Sequence, residues 1–68
     1  MNPTLFAGID AGSRAIKIAI YDAANGRILA TGTCDQGIDQ AARADALLAE
    51  ILASQNLDRA AIAATVAT

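Results

Sequence analysis

Apolar and polar positions along the chain fall into five stretches, four short and one long. Residues 5–9, Leu-Phe-Ala-Gly-Ile, are apolar without a break. Such a run predicts a strand covered on both faces, here strand one over residues 5–10. Residues 16–21, Ile-Lys-Ile-Ala-Ile-Tyr, alternate, which predicts a half-buried strand two over residues 15–22. Its alternation sends Ile16, Ile18 and Ile20 one way and Ala19 and Tyr21 the other. Asn25-Gly26 follows, and Asn-Gly between alternating runs is a strong hairpin signal. Strand three, over residues 27–33, is therefore expected to pair with strand two, and residues 34–38 read as a polar link around Gly37.

The long stretch has helical spacing. Ala41, Ala44, Leu48 and Ile51 recur on one stripe, widened by Leu47 and Leu52, while Arg43, Asp45 and Glu50 lie elsewhere. The helix is expected to start at Asp39 or Gln40, with Asp39 as its cap, and to fray near residues 54–56. Asp39 and Arg43 are spaced for a weak ion pair. Asp35 reads as a turn or cap residue. A short turn at residues 57–60, with Asp58 as a cap, leads into strand four over residues 62–67. The order is β-β-β-α-β, an α/β arrangement with a mixed sheet. Strands one to three are expected to form an antiparallel meander. Strand four is expected beside strand one and parallel to it, because only the helix-bearing crossover is long enough for parallel pairing. Its C-terminal end then stands beside Asp10, at the strand ends where ligands of such sheets bind.

The turn between strands one and two concentrates the chemistry. Asp10, Gly12, Ser13 and Lys17 bring a carboxylate, a glycine-freed backbone, a hydroxyl and an ammonium group together. Gly12 allows unusual backbone angles and close approach of a ligand, and consecutive N–H groups in a turn form an anion-binding concavity. Ser13 and Lys17 suit phosphate, while Asp10 suits a hard cation such as Mg²⁺. The same residues also fit an ordinary hairpin in which Asp10 and Ser13 hydrogen-bond the turn backbone.

The spacing D-x-G-S-x-x-x-K between two strands resembles the first phosphate-binding loop of the actin, sugar-kinase and heat-shock ATPase superfamily. The resemblance implies a ribonuclease H-like, actin-like ATPase partial domain, of which β-β-β-α-β is the opening. It implies that Gly12 and Ser13 contact the phosphates and that Lys17 approaches them. It also implies that Asp10 reaches Mg²⁺ through water as a catalytic group. Arg14 is counted with Gly12, Ser13 and Lys17 among the expected cofactor-binding residues, although many members carry threonine, with its hydroxyl, at that position. Within the superfamily, Gly8-Ile9-Asp10-Ala11-Gly12-Ser13 with Lys17 is similar to the N-termini of the BadF/BadG group. These are ATPase activators of 2-hydroxyacyl-CoA dehydratases and ATPase subunits of benzoyl-CoA reductases. Val66-Ala67-Thr68 resembles their V-A-T-G strand end as far as it goes. The likeness implies ATP and Mg²⁺ as cofactors, a homodimer, and a CoA-ester dehydratase or reductase component as partner. It also implies a [4Fe–4S] cluster whose ligands lie beyond this segment, which leaves Cys34 as an incidental loop or strand-edge thiol. Sugar and acetate kinases share a similar first loop, as do actin-like assembly proteins controlled by nucleotide. The last strand favours the activators.

Composition narrows the picture further. Sixty-eight residues form at most one small domain, near the lower limit for a self-sufficient core. Hydrophobic residues make up 54%, but many are alanine, so the core is expected to be thin. A net charge of −2 offers no basic field for nucleic acid or anionic membrane. No apolar run approaches the ~20 residues that cross a bilayer. The N-terminus lacks a secretory pattern, and one cysteine makes no disulfide framework, which points to the cytoplasm. Residues 62–68 read as a strand with neither turn nor polar tail after it. Residues 1–68 are accordingly expected to be the N-terminal part of the first ribonuclease H-like subdomain of a longer ATPase. Alone they are expected to be inactive and marginally folded, because phosphoryl transfer needs charge on both sides of the nucleotide.

Overall fold

A computed structural model describes residues 4–12, 14–35 and 37–67. Its elements are β1 (Leu5–Ala11), β2 (Ala15–Asp22), β3 (Arg27–Asp35), α1 (Gln40–Ser54), a 3-10 turn (Arg59–Ala61) and β4 (Ile62–Ala67). The strands form one mixed sheet in the order β3-β2-β1-β4. β1 and β3 run antiparallel to β2, and β4 runs parallel to β1. The expected α/β class and the expected meander with a parallel fourth strand are both present.

Isoleucine alternation decides which face is inside. Ile16, Ile18 and Ile20 are buried with Leu5 and Ala7, against Leu47, Leu48, Ile51 and Leu52 of α1. The helix packs on β2 and β3, so β4 gains little cover from it and only Ile62 of that strand is partly buried. At Gly32 the approach is close. A Cβ there would lie 2.6 Å from Cδ1 and 2.9 Å from Cγ1 of Ile51. The helix thus rests on bare backbone.

Three local expectations are corrected. β3 continues through Cys34 and Asp35, which pair with Ile16 and Ala15. They belong to the strand because β2 offers ladder partners there, so Asp35 is neither a turn nor a cap residue. Ala41 is exposed, because α1 meets the core only from Ala44 onward. Asp39 and Arg43 do not form an ion pair. The Asp39 carboxylate instead accepts from the Ala42 N–H at 3.0 Å, as an N-cap should, and the Arg43 guanidinium lies over Gly37. Among the described residues the ion pair present is Arg59–Asp45, largely exposed. Such pairs contribute roughly 0–1 kcal/mol.

Helix α1 ends in a Schellman motif. The Leu57 N–H donates to the Leu52 carbonyl at 2.9 Å and the Asn56 N–H to the Ala53 carbonyl at 3.1 Å. Asn56 takes the left-handed conformation, φ 58°, that this motif requires. Asp58 caps the following 3-10 turn by accepting from the Ala60 N–H at 3.0 Å. At the β2–β3 hairpin, Gly26 has φ +67°. Asp22, 7% exposed, accepts from the Ala24 N–H at 3.0 Å and from Asn25 Nδ2 at 2.7 Å. No helix among the described residues is long and apolar enough to cross a membrane.

Candidate functional site

Because paired residues share a face, the strand register sorts the side of the sheet away from α1 into rows. The first row is Phe6, Tyr21 and Ile28; the second is Gly8, Ala19 and Thr31; the third is Asp10, Lys17 and Thr33. Val66 of β4 extends the second row beyond Gly8. A bulge at Leu29 sets the phase of β3, so that Thr31 and Thr33 fall on this side.

At the centre of the second row Gly8 and Ala19 carry almost no side-chain bulk, and a Cβ built at Gly8 would meet nothing within 4 Å. A shallow trough of about 790 Å³ results, and Gly8, Asp10, Lys17, Thr31, Thr33 and Val66 border it. Its polar side is the Asp10–Lys17–Thr33 row, and the Phe6–Tyr21–Ile28 row lies one row beyond Gly8 and Ala19, outside the lining. Asp10 and Lys17 are direct cross-strand partners, and both are exposed. Facing residues of this kind stand ~4.5–5.5 Å apart at Cβ.

The turn itself departs from the sequence expectation at Gly12. Its N–H donates to the Ala15 carbonyl at 3.0 Å, so that donor closes the hairpin rather than waiting for an anion. Positive φ among the described glycines occurs at Gly26 and Gly37, not at Gly12. A Cβ at Gly12 would meet only the Ala15 oxygen, at an ordinary 3.5 Å. The fold therefore does not itself need glycine there. Arg14 is exposed in the turn, and Ser13 lies outside the described residues. Val66 and Ala67 pair with Gly8 and Ile9, next to Asp10; Thr68 lies outside the described residues.

The donor set limits what can be held. Among the described residues no group of three or more His, Cys, Asp or Glu side chains could enclose a metal ion. One carboxylate at Asp10 fits Mg²⁺ carried in with phosphates, because that ion keeps most of its waters and takes few protein ligands. An iron–sulfur cluster does not fit these residues. It needs several thiolates at one site, whereas Cys34 is the one cysteine and packs against the α1 side of the sheet.

Thr31 and Thr33 were not singled out by sequence reasoning. The signal was their period-two spacing, but the bulge at Leu29 decides which face receives it. Compared with family models, curated proteins and solved structures, the chain matches none.

Proposed function

We propose that this chain carries one half of a Mg·ATP phosphate clamp within a ribonuclease H-like, actin-like ATPase domain, of the kind used by ATP-driven electron-transfer activators. The register of one cross-strand pair carries the reading. Asp10 and Lys17 face each other on the open side of the sheet, at the C-terminal end of β1 and beside that of β4. A carboxylate and an ammonium thus stand side by side on adjacent strands, an arrangement that suits a metal ion beside a phosphate. Lys17 supplies a point charge for a phosphate oxygen, and Asp10 orients the waters of the ion. Magnesium, when bound with nucleotide, supplies charge neutralisation at the phosphates. The other half of the clamp and the adenosine pocket would come from other residues.

A ¹⁵N–¹H shift titration of the chain with millimolar Mg·ATP tests the reading. The expected result is movement of the residue 10, 12 and 17 amides, weakened by Lys17→Ala. Asp10→Asn should erase the difference between Mg·ATP and ATP with chelator. A titration unchanged by Lys17→Ala, or a Mg²⁺ dependence unchanged by Asp10→Asn, would rule the reading out.

A further inference from the structure

The polar row of the trough has a third member with no role so far. Thr33 is the cross-strand partner of Lys17, as Lys17 is of Asp10. It is exposed and borders the same trough. The three residues stand on three adjacent strands, and neighbouring strands lie ~4.7–4.9 Å apart. Two such spacings span more than one phosphate group and match a linked pair or triple. The geometry points to Thr33 as the far anchor of a polyphosphate laid across the strands, with its metal-bearing end at Asp10 and its centre at Lys17. This inference rests on the phosphate reading above. It goes further by assigning a hydroxyl donor on β3 and the direction in which the phosphates run across the strands.

A hydroxyl suits the position. Thr33 donates one O–H and needs no countercharge, so it can fix one phosphate oxygen without adding charge beside Lys17. The bare pair Gly8 and Ala19 in the next row lets the chain of phosphates lie close to the sheet. Thr31 is one row further along the same strand and face, out of line with Asp10 and Lys17. It serves as the internal control.

The test compares Mg·ATP, Mg·pyrophosphate and orthophosphate as probes in ¹⁵N–¹H titrations of the whole chain. Wild type, Thr33→Val, Thr33→Ser, Thr31→Val and Lys17→Ala are compared. Valine keeps the shape of threonine and loses only the hydroxyl, and the dispersion of each spectrum reports whether the variant is folded. Thr33→Val should raise the dissociation constant for Mg·ATP and Mg·pyrophosphate about five-fold and leave orthophosphate unchanged. Thr33→Ser should restore wild-type binding, and Thr31→Val should match wild type. If Lys17→Ala weakens Mg·ATP while Thr33→Val does not, the inference is overturned and the phosphate reading stands. Equal losses in Thr31→Val and Thr33→Val would also overturn it, by showing a general loosening of β3. If no probe moves the row, or if Lys17→Ala has no effect, the phosphate reading falls and this inference falls with it.

Discussion

Gly32 and Gly8 are the same residue type under opposite constraints. Gly32 sits beneath Ile51, where any Cβ intrudes on the helix, and Gly8 opens onto the trough with room to spare. Gly32→Val should therefore cost about 1–3 kcal/mol through overpacking, read as a lower urea midpoint. Trimming the obstacle in the Gly32→Ala/Ile51→Val double variant should show coupling rather than additive loss. Gly8→Ala should leave the midpoint near wild type; a fall as large as that of Gly32→Val would contradict the packing described. The sequence could not separate these glycines. Alternation identified the buried isoleucines, because three β-branched residues at period two leave one consistent face. A glycine contributes nothing to that pattern, so its constraint appears only once helix and strand are docked. Asp22 was hidden for a similar reason: its bonds to Ala24 and Asn25 depend on where the hairpin closes.

Among the elements, α1 was the most legible. Asp39 caps it as its residue type suggests, and Leu47, Leu48, Ile51 and Leu52 form its buried stripe. What could not be read was the depth of contact, which leaves Ala41 outside, and the competition for Asp39 between a cap and Arg43. The C-terminal cap offers a direct check. An alanine in the left-handed conformation costs roughly 1–2 kcal/mol, whereas asparagine tolerates it and glycine takes it freely. Asn56→Ala should lower the thermal midpoint, and Asn56→Gly should hold or raise it. The reverse order would remove the Schellman assignment. For the site, period-two spacing put Lys17 opposite the isoleucines, but its meeting with Asp10 and Thr33 needed the registers of two hairpins. The end of β3 was misplaced because Cys34 and Asp35 carry no strand pattern of their own; their ladder partners on β2 hold them there.

At the scale of the whole molecule, the described residues form a sheet covered on one side, mainly over β2 and β3. Strand one was expected to be covered on both faces, yet Phe6, Gly8 and Asp10 of β1 face the uncovered side. Tyr21, Ile28 and Val66 are 40%, 55% and 63% exposed on that side. β4 is an edge strand with no charged residue or proline to discourage pairing. The chain should therefore associate as its concentration rises, with unfolding midpoints that climb in step. Val66→Lys should suppress the association without lowering stability in dilute solution. A sedimentation coefficient and a midpoint independent of concentration would refute this. The same asymmetry governs what can be seen with ultraviolet light. The chain has one tyrosine, one phenylalanine and no tryptophan, and its two rings are cross-strand neighbours on the uncovered side. Tyrosine emission and near-ultraviolet dichroism thus report the uncovered face, while far-ultraviolet dichroism at helical wavelengths reports α1 on the opposite side. The two signals are independent witnesses to one transition, and their coincidence or separation on heating is a built-in test of whether the halves melt together.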